Sequence, residues 1–319
     1  MLVDLARVRE AQALLAGHFG QTPLVRAPSL CAKHSEVYLK IESGLPTGSF
    51  KVRGALYSLA VNCARQRITE VVAASTGNHG AAVAYAGRLL RLETTIFLPA
   101  NPNQVKLARI RELGATVIEA GVDLSAAIDA AYEHTRRAHA FFLHDATDAD
   151  IPVGTATIGA EIAAQLPARD RNVRIYVPMG DTALIRGLAS AAKQLNPSIS
   201  IVGVVAARAP AYFQSWQRRS AVETESADTM ADGLAVRRAL APNVAAICEL
   251  VDDVRAVSEE ELLAAIEHLQ ARERVTAEPA AAAPTAAYLE EPDPAPTSVL
   301  LVTGANIAPD VLRRVGVLD

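Results

Sequence analysis

"EVVAASTGNHGAAVAYA", residues 70–86, joins three kinds of chain in one short stretch. Residues 70–74 are apolar and β-branched, as a buried strand requires. Ser75-Thr76-Gly77-Asn78-His79-Gly80 is a polar, flexible turn, and Ala-rich residues with helical spacing follow it. A strand that empties through a turn into a helix is the repeating unit of a parallel α/β sheet. The same rhythm recurs outward from this point. Strand candidates at 36–41, 94–98, 115–120, 173–178, 200–205 and 298–303 alternate with helix candidates at 54–66, 79–91, 104–113, 123–138, 156–166, 184–195 and 259–272. Gly114 is a good stop for the helix before it. The expected fold is therefore α/β, with parallel sheets flanked by helices on both faces. Such sheets bind ligands at the carboxyl ends of their strands, which places the expected chemistry at 74–80, 178–184 and 302–306.

The 319 residues suffice for one large or two modest domains, and no internal repeat is visible. Half of them are apolar, and a formal charge of −4 gives no electrostatic case for nucleic acid. Cys31, Cys63 and Cys248 are widely separated and odd in number, so they suggest neither a disulfide framework nor a metal knuckle. The N-terminal residues mix charges with apolar side chains at helical spacing, unlike a signal peptide, and no apolar run reaches spanning length. A soluble cytoplasmic protein with no membrane partner is expected. The biased segment 277–296 reads as a buried Ala-rich helix followed by a Pro-rich exposed connector.

Four places hold groups that suit chemistry. "GLPTGSFKVRGA" (44–55) sets Lys51 behind Phe50 at the start of a helix. The helix dipole and desolvation there both favour the neutral amine, which is the form that forms a Schiff base. The 75–80 turn offers backbone N–H groups at a helix N-terminus and suits an anion, although Ser75 or Asn78 capping the helix explains it equally well. "VPMGDTALIRG" (177–187) repeats the strand–loop–helix geometry of a phosphate cradle, but with a single glycine, Gly180, and with an acid, Asp181, that must point away from any phosphate. "VTGANI" (302–307) brings the hydroxyl of Thr303 to a strand end. No histidine set has ligand spacing, and "HDATDAD" (144–150) lacks the glycine and distal glutamate of a calcium loop. It reads as an acidic surface loop, and no metal site is expected.

Taken together and in this order, the motifs resemble the fold-type II pyridoxal-phosphate enzymes, within them the serine/threonine dehydratase (threonine ammonia-lyase) branch. The similarity runs from "QTPL" (21–24) through "PTGSFKVRGA", the asparagine turn, "VGTATIGAEI" (153–162), "DTMADGLAV" (228–236) and "AEPAAAA" (277–283) to "VTGANI". The resemblance implies a two-lobed fold like that of the tryptophan synthase β chain. Its small domain would span 70–147, and its large cofactor-binding domain 1–69 plus 148–319. It further implies a homodimer and a small amino-acid substrate. Lys51 would carry pyridoxal 5'-phosphate, with Phe50 packed on its ring and Asn78 bonded to its 3-hydroxyl oxygen. Gly180, Asp181, Thr182, Ala183 and Leu184 would hold its phosphate, and Thr303 would meet its ring nitrogen. Ser75, Thr76, Gly77 and His79 would hold the substrate carboxylate. The reaction implied is β-elimination from L-threonine or L-serine to a 2-oxo acid and ammonia, with Lys51 as general base.

The departures from that family are specific. Its glycine run is here Gly180-Asp181-Thr182-Ala183-Leu184, and a β-branched Thr182 is the worst candidate for a positive φ. Ala281 replaces a customary glycine and is expected to narrow the site. The resemblance implies that a hydroxyl at position 76 acts on the face opposite the lysine in members that racemise serine, so Thr76 keeps racemisation open as an alternative. Dehydration of a hydroxyaspartate or a hydroxyectoine-derived amino acid is another, and a degenerate non-catalytic binding protein a third. Arg208 falls where several relatives place a cation-binding glutamate, which argues against a bound cation. Arg208, Tyr212 and Arg237 are candidates for shaping the pocket. From the short stretch after Thr303, no C-terminal regulatory domain is expected.

Overall fold

The computed structural model describes residues 2–75, 77–100, 104–122, 124–167, 172–291 and 294–316. Its strands are β1 (Leu24–Arg26), β2 (Glu36–Ile41), β3 (Glu70–Ala74), β4 (Glu93–Leu98), β5 (Thr116–Glu119), β6 (Phe141–Phe142), β7 (Val173–Pro178), β8 (Ser200–Ala206), β9 (Asp253–Val257) and β10 (Thr297–Val302). The helices are α1 (Leu5–Ala16), α2 (Lys51–Arg65), α3 (Asn78–Leu90), α4 (Gln104–Glu112), α5 (Leu124–Ala138), α6 (Ile151–Gln165), α7 (Ala183–Leu195), α8 (Ala211–Arg218), α9 (Ala241–Leu250), α10 (Glu259–His268), α11 (Pro279–Leu289) and α12 (Pro309–Arg314).

The strands form two sheets, and both are mainly parallel, as the alternation predicts. The larger runs β1-β2-β10-β7-β8-β9 and is parallel except for the edge pair β1–β2. The smaller runs β5-β4-β3-β6 and is wholly parallel. Every residue of β10 is buried, because helices cover both faces of the large sheet. Register then decides where the loops emerge. Val302 pairs with Ile41, and β7 ends at Pro178 beside Val204 of β8. The segments after β2, β10 and β7 therefore leave the same edge of the sheet.

Two helices begin earlier than the sequence pattern suggests. Helix α2 starts at Lys51 rather than 54, and α6 at Ile151 rather than 156. In α6 the discouraging residues are Pro152 and Gly154. Proline is tolerated in a first turn, where its missing N–H is not needed. Gly154 is required because a Cβ there would lie 2.5 Å from the Arg53 carbonyl oxygen. The α-helix predicted to 272 ends at His268 and continues as one π turn, Leu269–Glu273. Gly114 follows α4 with φ +89, the expected stop.

Candidate active site

The segment that carries Lys51 is held against the C-terminal strand's exit. Phe50 N–H donates to the Thr303 carbonyl at 2.9 Å, and Ala305 N–H to the Gly48 carbonyl at 3.0 Å. Ser49 and Gly304 form an isolated bridge. Lys51 thus becomes the first residue of α2, where the dipole opposes a positive charge. Its side chain is 15% exposed. Nζ donates to Asp145 Oδ2 at 2.9 Å and also to Asp181 Oδ2. Burial pulls the ammonium pKa down, but the charges of Asp145 and Asp181 outweigh it and hold it above 10.5. Against the neutral amine expected from dipole and desolvation, the pairing with two carboxylates favours the ammonium form of Lys51.

Asp145 corrects a second expectation. It lies in "HDATDAD", which follows β6 at the carboxyl edge of the small sheet and is not a surface loop. Desolvation alone would raise the Asp145 pKa, but Lys51 and then His79 hold it well below 3.8. Asp150, in the same loop, is 5% exposed and pairs with Arg7 and Arg65. His144 is kept from charging mainly by burial, and its Nδ1 accepts the Ala146 N–H at 3.1 Å, as a neutral ring can.

The 180–184 loop brings Asp181 inward, not away. Asp181 Oδ1 accepts the Ala183 N–H at 2.8 Å while Oδ2 meets Lys51. Gly180 is obligatory, since a Cβ there would fall 2.1 Å from the Gly233 carbonyl oxygen. Thr182 adopts φ +73, the conformation least suited to a β-branched residue, and its buried Oγ1 has no partner among the described residues. Leu184 is buried beside Phe50 in the core. Asn243 of α9, which the sequence reading missed, ties both acidic loops together. Its Nδ2 donates to the Ala146 carbonyl at 3.1 Å and to the Asp181 carbonyl at 3.3 Å. Arg186 also donates to the Ala146 carbonyl, at 3.2 Å, and leaves its buried Nε without a partner among the described residues.

Asn78 opens α3 at the other side of the site. Its Nδ2 donates to Glu278 Oε1 at 2.6 Å, and its Oδ1 accepts from Asn306 Nδ2 at 2.7 Å. Glu278 and Asn306 stand in two of the quoted motifs, but nothing in their spacing marked them as partners of Asn78. Ser75 Oγ accepts the Gly77 N–H at 3.3 Å, a local turn, and no side chain caps α3 among the described residues. His79 is buried and donates from Nε2 to the Leu143 carbonyl at 3.0 Å. Thr76 lies outside the described residues. Phe50 turns its ring to Lys51, with Nζ 5.3 Å from the centroid, and Thr303 is 3% exposed. Ala281 is wholly buried inside α11. Of the pocket candidates, Tyr212 is buried against Asn243, whereas Arg208 and Arg237 are spent on exposed pairs with Asp228 and Glu223. No cluster able to hold a metal ion occurs among the described residues.

The Lys51 amine, the Asn78 amide and two unpartnered buried hydroxyls (Ser49 and Thr182, among the described residues) thus stand at or just before the heads of α2, α3 and α7. This donor set fits a group that carries an aldehyde, a ring hydroxyl and a phosphate. Asp145 and Asp181 hold the Lys51 amine, and Glu278 and Asn306 hold the Asn78 amide, so these bonds have to give way to such a group. A family model described as pyridoxal-phosphate dependent enzyme matches residues 15–304. The chain is 34% identical over 316 residues to an L-threonine ammonia-lyase of Thermotoga maritima, covering 98% of this chain and 78% of that protein. It is 32% identical to a catabolic L-threonine dehydratase of Staphylococcus aureus, over 100% of this chain and 92% of the relative. Among solved structures, maize serine racemase superposes with a TM-score of 0.91 at 27% identity, over 98% of this chain and 97% of that one. A threonine deaminase from T.th. gives 0.87 at 31%, over 96% and 99%.

Proposed function

The chain belongs to the pyridoxal-phosphate-dependent enzyme family, and from that premise we propose that it is an ammonia-lyase. Its substrate is a small β-hydroxy amino acid, L-threonine or L-serine, which leaves as a 2-oxo acid and ammonia. The observation that carries this reading is Lys51 Nζ, held at the head of α2 between loops from both sheets. Relatives named L-threonine ammonia-lyase and L-threonine dehydratase support it.

In this reading Lys51 holds the cofactor through Nζ, Phe50 packs on its ring, and Asn78 meets its 3-hydroxyl oxygen. Thr303 meets the ring nitrogen, and residues 180–184 receive the phosphate. When bound, the cofactor supplies the electron sink for the pair left on Cα. The chain's own residues do the rest. Lys51 removes the Cα proton as general base, and to do so it must first shed the proton that Asp145 and Asp181 stabilise. The substrate carboxylate sits at the head of α3 with Ser75, Thr76, Gly77 and His79. Gly77, the cap residue, has no side chain to compete with that anion. His79, its ring bonded to Leu143, contributes through its backbone. Closure of a small lobe, 70–147, on a large one, 1–69 plus 148–319, excludes water. A cytoplasmic homodimer completes the proposal; the free cysteines Cys31, Cys63 and Cys248 suit a reducing compartment.

The test is the purified protein with pyridoxal phosphate, assayed for oxo acid from L-threonine, L-serine and D-serine. Lys51→Ala should lower turnover by about 10²–10⁴-fold or more, the usual contribution of a positioned base, and turnover within about tenfold of the parent would remove Lys51 from its role.

A further inference from the structure

The head of α7 already carries an anion of its own. Asp181 places one carboxylate oxygen on the Ala183 N–H, at 2.8 Å, and the other on the Lys51 ammonium. Helix α7 is 13 residues long, and its cap residue Thr182 makes no side-chain cap bond. Two buried polar atoms of the same turn, Thr182 Oγ1 and Arg186 Nε, have no partner among the described residues. The turn therefore has unpartnered polar atoms while one of its first backbone donors is occupied. Lys51 in turn has more negative charge than it needs. Asp145 Oδ2 lies 2.9 Å from Nζ, so the ammonium stays paired if Asp181 leaves. Both acids stand on loops, with side chains 23% and 19% exposed, but only Asp181 also takes a backbone N–H at the head of α7, the place where a phosphate would compete with it.

We propose that Asp181 is a built-in competitor for the cofactor phosphate: it occupies the head of α7 in the cofactor-free chain and sets how much the phosphate adds to cofactor affinity. The inference rests on assigning residues 180–184 to the phosphate. Two anions at one helix end repel each other and share one set of donors, so phosphate binding has to include displacement of the carboxylate. The residue thus determines the selectivity for phosphorylated over unphosphorylated cofactor, and the chain discriminates against free phosphate for the same reason.

The experiment uses the full chain stripped of cofactor and measures Kd for pyridoxal phosphate and for pyridoxal by equilibrium dialysis. The proteins are the parent, Asp181→Asn and Asp181→Ser. Asparagine keeps an oxygen for the Ala183 N–H and loses only the charge; serine provides a second variant if the first fails to fold. The ratio Kd(pyridoxal)/Kd(pyridoxal phosphate) should rise by about tenfold or more in both variants, the size expected for removing a partly screened like charge. Inorganic phosphate should raise the melting temperature of the variants more than that of the parent. A ratio that stays level or falls overturns the proposal. If the parent binds pyridoxal phosphate and produces oxo acid while the ratio is unmoved, only the role of Asp181 falls. If the parent binds no pyridoxal phosphate, the cofactor reading falls and takes the proposal with it.

Discussion

Lys51 shows how far one residue can be understood from its neighbours in sequence. Its place behind Phe50 at a helix start is readable there; its charge state is not, because Asp145 and Asp181 are 94 and 130 positions away. The pH dependence follows from those partners. Asp145 has its folded pKa depressed, so its stabilising contribution is full above 3.8 and is lost as pH falls through the folded value. The stability gap between the parent and Asp145→Asn, read by urea unfolding, should therefore narrow as pH drops from about 6 to about 3. A constant gap would mean that the carboxylate charge is not what stabilises. Thr182 allows a second prediction. Its left-handed backbone costs about 1–2 kcal/mol and its unpartnered hydroxyl about 1–3 kcal/mol. Glycine would remove both, at about 0.5–1 kcal/mol of backbone entropy and about 0.8 kcal/mol of lost methyl burial. Thr182→Gly should stabilise the cofactor-free protein by about 1 kcal/mol, and a lower denaturation midpoint would contradict the strain.

At the scale of elements, the helices that position the site meet at backbone distance. Gly154 of α6 lies against the first turn of α2, where an added Cβ would stand 2.5 Å from the Arg53 carbonyl oxygen and 2.8 Å from Gly54 Cα. Neither neighbour is a flexible side-chain end, so α2 has to move, and Lys51 with it. Gly154→Ala should cost about 1–3 kcal/mol and lower kcat, because a displaced base loses its alignment. A variant with unchanged stability and kcat would show that α2 yields freely. The same closeness explains what the sequence conceals. The seven strands it marks are the runs richest in apolar and β-branched residues, most of them largely buried. Strands β1, β6 and β9 escape notice because they are short or, like "DVRAV", charged. The acidic loop after β6 is hidden along with its strand. Once Phe141–Phe142 is seen as a strand, the rule that places ligands at carboxyl ends points to Asp145 as it does to Asn78 and Thr303.

Across the whole molecule, the helix that carries Lys51 is referred to one buried frame. Lys40 of β2, Glu42 just after it, Arg53 of α2 and Glu161 of α6 form a sealed network of two cations and two anions. Lys40 Nζ donates to Glu161 Oε2 at 2.6 Å. Arg53 donates to Glu161 Oε1 at 2.6 Å and to Glu42 Oε2 at 2.7 Å. The charges balance, which is the condition for keeping them in a dry interior. Hydrophobic side chains of similar volume would serve stability as well; the network instead fixes the register of α2 against β2 and α6, and so the reach of Lys51. Burial acts to raise the Glu161 pKa, but its bonds to Arg53 and Lys40 outweigh that and hold it below 4.5. Its contribution is therefore present above 4.5 and lost as pH falls through the folded value. Glu161→Gln leaves two buried cations facing one carboxylate and should cost about 3–5 kcal/mol in urea unfolding near neutral pH. Adding Lys40→Met removes the surplus cation, so the double variant should recover part of that loss instead of adding to it. If the two costs simply add, the four groups are not one charge-balanced unit, and the alignment of Lys51 must come from backbone packing alone.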